Sequence, residues 1–335
     1  MSARTTPAAA ASGPCVRGIA YAFPEGTRTV RELAAAGALE SDAAVLEGFG
    51  FDRVHVAGAE SPYDLALAAA SRLLREHDVD PESVGLLVYG GTPAAMAFAP
   101  NDLAADAARD GAAGMLTLDR FRYPATRLQF DLGLTAASAI GVDQLACTTL
   151  LAAVRVARAL CLAEGIERAL CVASEFFPAR AGREAVFNCT SDAACAVLVE
   201  RAGERNRVVG ASTVTKGFYW DPAAMRDEVV ASYFPTARHA IARTVAAAGW
   251  RAADVDWVMP HNVSARSWEI LMRLAGLPNA RLWTGNIARR GHTLAGDNFI
   301  NLSDALDAGA VTPGQKVLLF SYGFGAHWTG LALEA

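Results

Sequence analysis

Residues 141–175 read GVDQLACTTLLAAVRVARALCLAEGIERALCVASE, and the fold turns on how they are parsed. A short apolar strand ends near Val142, and a tight passage then delivers Cys147 to the start of a helix rich in Ala, Leu and Val. That helix carries Arg155 and Arg158 on its polar side and stops near Gly165. A second buried strand follows over residues 169–173. This order places a thiol where it can become a nucleophile, because unpaired N–H groups and the positive end of a helix dipole favour thiolate over thiol. Cys147 also reads as a small core residue at a crowded helix–sheet junction, since free cysteine is among the most buried residue types.

The chain has 335 residues, 53% hydrophobic and 19% charged, enough for two domains or one large duplicated one around a sizeable core. Its net charge of −5 offers no basic field for nucleic acid and no general attraction to an anionic membrane. Lys216 and Lys316 are the only lysines; arginine carries nearly all the positive charge. Cys15, Cys147, Cys161, Cys171, Cys189 and Cys195 show no CxxC pair and no ligand-like spacing with histidine, so no metal or cofactor is expected. Most lie in apolar runs, as reduced thiols in a cytoplasmic protein do. The opening MSARTTPAAAASGP lacks a leucine-rich core and reads as a disordered leader. No apolar run reaches membrane-spanning length without a charge.

Taken in order, residues 16–22 suggest a first strand, and residues 29–36 and 42–47 short helices. The glycine- and aromatic-rich residues 48–57 suggest a surface cleft. Ser61 and Pro62 suit an N-cap and first helical position for a helix running to about His77. Residues 84–92, VGLLVYGGT, have the continuous apolar run of a strand buried on both faces. Residues 93–127 hold no firm period and read as a functional loop or interface. Ser191 and Asp192 suit a tight turn before a strong strand over 193–199. The second half repeats the rhythm: a strand near Val208, a long helix over 229–248, and a buried strand running into Pro260 and His261. A helix, the segment ARLWTGNIARRGHTLAGDN, another helix over 299–306 and two closing strands follow. Two similar α/β halves packed face to face are inferred.

Three turns carry chemistry. His261 ends a buried strand, where α/β sheets bind ligands, and suits a general base or an oxyanion donor as well as a structural role. His292 lies in the glycine-flanked turn RRGHTLAGD. The glycines of SYGFGAHW let backbone approach closely, so Gly325 could give an N–H to an oxyanion or simply make a β-turn.

The ordered segments ACTTLLAAVRVARAL, SDAACAVLVE, PHNVSARSWEILMRLAGLP, GHTLAGDNFINLSDALDAG and GFGAHWTG resemble the motifs of the β-ketoacyl-acyl-carrier-protein synthase III group of the thiolase superfamily. The resemblance covers nearly the whole chain from about Val16. It implies a duplicated fold in five layers, α-β-α-β-α. Residues 1–15 would then be the leader, 16–205 the half carrying Cys147, and 206–335 the half carrying both histidines. It also implies a homodimer, paired through the strand before Cys147.

The resemblance makes Cys147 the acylated nucleophile and His261 the histidine of the PH motif. The Cys147 and Gly325 N–H groups would be the oxyanion donors. Where the family has asparagine in a G-N-T sequence, this chain has Gly291, His292, Thr293. The family's elongating relatives use a second histidine at that place. Asp297 replaces a small residue and would either cap the next helix or orient His292. Residues 44–51 lack the tryptophan and arginine that grip the adenine of coenzyme A, which favours an acyl carrier protein as donor. Arg251, Arg266 and Arg273 are candidates for touching it. The function expected is decarboxylative condensation of an acyl group with a malonyl-type thioester in specialised metabolism. The rivals are O- or N-acyl transfer from Cys147 and a non-catalytic partner subunit.

Overall fold

The computed structural model describes residues 12–92, 97–98, 121–177, 181–186 and 188–335. Most of the segment read as an irregular loop, residues 93–127, lies outside them, as do residues 1–11 of the leader. In the first half the strands are β1 (Gly13–Ala22), β2 (Thr27–Thr29), β3 (Arg53–His55), β4 (Leu86–Gly91), β5 (Ser138–Val142), β6 (Arg168–Glu175) and β7 (Ala193–Gly203). The second half supplies β8 (Arg207–Thr215), β9 (Trp257–Pro260), β10 (Arg281–Leu282), β11 (Lys316–Gly323) and β12 (His327–Glu334). β1 starts three residues earlier than the apolar run suggests, because Cys15 pairs with Glu200 on one side and Arg207 on the other.

Duplication is written in the strand order. The first half runs β1-β7-β6-β4-β5 and the second β8-β12-β11-β9-β10, each with two antiparallel pairings followed by two parallel ones. The halves join edge to edge at one ladder pair, Cys15 opposite Arg207. β5 forms one outer edge and β10 the other.

Side-chain alternation then builds the layers. The helices are α1 (Val30–Ala35), α2 (Ala43–Gly48), α3 (Pro62–Glu76), α4 (Pro124–Asp131), α5 (Thr149–Glu164), α6 (Arg226–Ala247), α7 (Ala265–Leu274), α8 (Gly285–Arg290) and α9 (Asp297–Asp307). Successive strand residues point to opposite faces. Leu86 and Val88 of β4 therefore meet Leu150, Val154 and Ala157 of α5, while Leu87 and Tyr89 meet Leu73 and Ala66 of α3. α5 and α9 share the central core with both sheets, which puts Phe299 and Leu302 against Met259 and Leu319. α6 and α7 cover the second sheet from outside through Ile241 and Trp268. The sequence of layers is α, β, α, β, α.

Residues 146–164 are apolar and long enough to cross a membrane by composition alone. Sandwiching between two sheets accounts for that composition, since a helix covered on most sides must be apolar on most sides. Arg155 and Arg158 reach β8 instead of solvent, bonding Thr213 Oγ1 and the Val208 carbonyl.

Within residues 48–57, read as lying near a surface cleft, Phe51 and Val54 are buried with Leu46, Cys189 and Ile287 while Gly50, Asp52 and Arg53 are exposed. Asp192, read as suiting a tight turn, is buried in an ion pair. Its carboxylate takes both forks of Arg183, at 2.7 and 2.9 Å, and the N–H groups of Phe177 and Ala57, both at 2.8 Å. Asp192 is fully buried and Arg183 nearly so. Removing one partner of a buried pair leaves the other charge uncompensated. Asp192→Ala should therefore cost about 3–5 kcal/mol, read as a lowered urea midpoint; an unchanged midpoint would show that the pair contributes nothing.

Candidate active site

Cys147 lies in a 3₁₀ turn, Ala146–Thr148, that leads into α5. The chain reaches it through left-handed backbone at Gln144 and Ala146, with φ of 62° and 45°. Hydroxyls lock the turn. Thr148 and Thr149 donate to the carbonyls of Leu145 and Ala146, and Ser321 of β11 donates to the Cys147 carbonyl at 2.9 Å. Gly323 completes the fit, since a Cβ there would lie 2.4 Å from the Leu145 carbonyl oxygen. Cys147 is 7% exposed, and that exposure opens into a cavity of about 420 Å³.

His292 is held by backbone from the opposite half. Its N–H donates to the Cys189 carbonyl and its carbonyl accepts from Ser191 N–H, each at 2.8 Å. Gly291 must be glycine: its φ is +65° and a Cβ would come within 2.9 Å of the Cys189 oxygen. The ring then bridges two groups. Nε2 lies 3.3 Å from Cys147 Sγ, and Nδ1 lies 2.5 Å from Asp297 Oδ2.

Of the two roles open to Asp297, it does not take the cap of α9; Gly296 occupies the cap position and no side-chain cap bond forms. Its carboxylate accepts instead from Asn262 N–H at 2.5 Å and from the Thr293 N–H and hydroxyl at 2.6 Å. These partners all donate, a pattern an acceptor-only carboxylate satisfies, which makes His292 Nδ1 the donor and turns Nε2 toward sulfur. Burial alone disfavours the protonated ring, but the charges of Asp297 and Cys147 outweigh it and hold His292 well above the usual histidine range.

His261 lines the same cavity, its ring centroid 6.1 Å from that of His292. Its carbonyl accepts from Trp268 Nε1, and its Nδ1 has no partner among the described residues. Burial, with the His292 charge adding to it, pushes this ring down to about 3. The two histidines of the cavity are thus pushed in opposite directions, His292 toward its charged form and His261 toward its neutral one. Gly325 is not brought to the cavity wall, where Phe324 stands instead.

A set of buried asparagines, overlooked by the sequence reading, fixes this geometry. Asn298 donates to the Met259 and Phe320 carbonyls, Asn301 to the Pro260 carbonyl and Asn262 Oδ1, and Asn262 to the Gly291 carbonyl. The signal was present, for two asparagines three residues apart on an otherwise apolar helix face cannot be solvent contacts. Of the arginines proposed for carrier contact, Arg251 and Arg266 pair on the surface with Asp254 and Glu269.

The fold and parts of the sequence have known counterparts. A family profile described as 3-oxoacyl-[acyl-carrier-protein] synthase III, C terminal, matches residues 245–335. Beta-ketoacyl-[acyl-carrier-protein] synthase III 2 of Streptomyces coelicolor is 31% identical over 239 residues, 65% of this chain and 70% of that one. The match to synthase III 3 of the same organism, 40% identical, spans 26% of this chain and about a quarter of that one, 25%. The synthase III of Erythrobacter litoralis is 26% identical over 93% of this chain and 96% of its own. Among solved structures, the 3-oxoacyl-(acyl carrier protein) synthase III of Pseudomonas aeruginosa superposes with a TM-score of 0.77. It is 24% identical and covers 96% of this chain and 98% of its own.

The opposed histidines give a signature in ring-nitrogen NMR. Around pH 6.5, the ordinary histidine midpoint, His261 should be neutral and His292 still protonated, and Asp297→Asn should drop the His292 midpoint by removing its counter-charge. The signs oppose in stability too. His261 contributes stability above its unfolded value, about 6.5, lost as pH falls toward 3; His292 contributes below that value, lost as pH rises through its folded one. Two rings titrating together near pH 6.5 would refute this electrostatic picture.

Proposed function

The chain belongs to the 3-oxoacyl-[acyl-carrier-protein] synthase III family, and from that premise we propose that it carries an acyl group as a thioester on Cys147 and passes it to a hydroxyl or amine acceptor. The observation behind this reading is the unbroken chain from Cys147 Sγ through His292 to Asp297 at the wall of one cavity. A nucleophile in contact with a base that is itself oriented by a third group is the general arrangement for acyl transfer.

In the first half-reaction the Cys147 thiolate, paired with the His292 imidazolium, attacks a donor thioester. The new C–S bond forms as the old one breaks, and the His292 proton leaves with the donor thiol. The Cys147 N–H before α5 is the proposed oxyanion donor; Gly325, which the resemblance makes the second, is not among the residues lining the cavity. In the second, His292 Nε2 takes the proton of the incoming acceptor while Asp297 holds the ring. The acceptor bonds to the acyl carbon, and the sulfur departs to be reprotonated by His292. Phe176, Phe177, Val229, Val230 and Phe234 give the acyl group an apolar wall.

Decarboxylative condensation is the second reading, and neutral His261 favours it. A buried, uncharged imidazole beside His292 can donate to the carbonyl of a malonyl-type thioester and stabilise the enolate left by loss of carbon dioxide. A non-catalytic partner subunit fits poorly with three reactive groups so closely arranged. For the donor we propose an acyl carrier protein, because Phe49 and buried Phe51 stand where an adenine grip would lie. We also propose a cytoplasmic homodimer in specialised metabolism: β5 offers an open sheet edge, and all six cysteines are free and buried.

Intact-mass analysis after incubation with a panel of acyl thioesters tests this. An acyl adduct should appear on the wild type and be absent from Cys147→Ala. His292→Ala should slow loading by about 10²–10⁴-fold. Discharge of the adduct as an ester or amide without carbon dioxide supports transfer. Carbon dioxide from a malonyl thioester with carbon–carbon bond formation supports condensation instead, and no adduct at all would end both.

A further inference from the structure

Two polar side chains in the cavity wall take no part in the machinery above. Glu175 ends β6, where the ladder pairs it with Ala193 and where Phe176 N–H is pinned to Thr92 Oγ1 at 3.1 Å. Its side chain passes over Gly91, whose φ is +111° and whose missing Cβ would lie 3.0 Å from Glu175 Cγ. Glycine there is required first by the Ser174 carbonyl oxygen, 2.2 Å from that Cβ position, and Gly91 and Glu175 both line the cavity. No hydrogen bond from the Glu175 carboxyl is found among the described residues. Burial, partly offset by the charged His292 ring and reinforced by Asp297, pushes it up to about 8, so at neutral pH most of it carries its proton.

Asn188 is the second group. It is 7% exposed, lines the same cavity, and its Oδ1 has no partner among the described residues. Two residues further on, Thr190 forms an isolated bridge with His292, which places the Asn188 segment beside the turn that carries the His292 ring. Buried polar groups are normally satisfied, and each exception needs an explanation. Asn188 Oδ1 is such an exception, as are His261 Nδ1 and the Tyr322 hydroxyl in the same wall, and the half-buried Glu175 carboxyl adds a further polar group with no hydrogen-bond partner among the described residues.

The geometry points to a subsite in which Glu175 and Asn188 hydrogen-bond a second hydroxyl of the acceptor, making the preferred acceptor a diol or polyol. A protonated carboxyl and a carboxamide each donate and accept, as a hydroxyl does, so each pairing closes without leaving a charge buried. An ammonium would instead demand an ionised partner, which this wall disfavours. One acceptor hydroxyl is then free to give its proton to His292 and bond to the acyl carbon as the C–S bond to Cys147 breaks.

This inference rests on the acyl-transfer reading, so the experiment separates the two. Enzyme preloaded from an acetyl thioester is offered propan-1-ol or propane-1,2-diol at equal concentration, and ester formation is followed by mass. The wild type should discharge to the diol about tenfold faster than to the mono-alcohol. Glu175→Leu and Asn188→Leu should each bring that ratio toward one, while Glu175→Gln, which keeps a donor and an acceptor, restores much of it. Adduct formation on Cys147 reports that each variant is folded. Wild-type enzyme that esterifies both alcohols equally, or leucine variants that keep the preference, would overturn the subsite and leave acyl transfer standing. Failure of the wild type to discharge to either alcohol, with carbon dioxide released from a malonyl thioester, would overturn the transfer reading and the subsite with it.

Discussion

A single carboxylate organises the reactive end of this molecule. Asp297 accepts from two backbone N–H groups, a threonine hydroxyl and an imidazole, all without solvent. A buried anion is tolerated only when its lone pairs are filled, and here the filling partners come from the turn after β9, the turn before α9, and His292 itself. The carboxylate therefore sets three things together: the path of both turns, the tautomer of the ring, and its protonated state. The reach of His292 to Cys147 follows from that arrangement.

The frame was legible in the sequence because it depends on periodicity and punctuation. The double-sided strand at residues 84–92, the apolar helix after Cys147 and the repeat of that rhythm after Val208 all follow from the burial of two sheets around shared helices. The cysteine and both histidines could be placed for a similar reason, standing at strand ends or glycine turns where a sheet opens. What could not be read were distances between residues far apart in the chain. Asp297 beside a helix start looks like a cap, and only the fold of residues 261–262 against it shows why its oxygens turn the other way. Asp192 looked like a turn residue for the same reason, its partner Arg183 lying across a loop whose path has no local signature.

Glu175 and Asn188 mark a different limit. A glutamate at the end of an apolar strand is ordinary punctuation in a sequence. It becomes informative only when the wall around it proves apolar and the backbone on either side of it is fastened. The buried asparagines of α9 lie between these cases: their spacing betrayed burial, but their partners were the carbonyls that end β9 and β11. Polar residues inside this protein serve chiefly to hold strand ends in place, which is why the site sits where two sheets stop.

The shared central layer bears on how the chain is made. α5 is completed about halfway along the chain, yet much of its covering is built from residues 297–305 and the strands β9, β11 and β12. For nearly half the time on the ribosome, a helix apolar enough to resemble a membrane segment has one flank bare. The nascent first half is thus a natural client for chaperones that bind greasy surfaces, and it matures only when the last strands arrive.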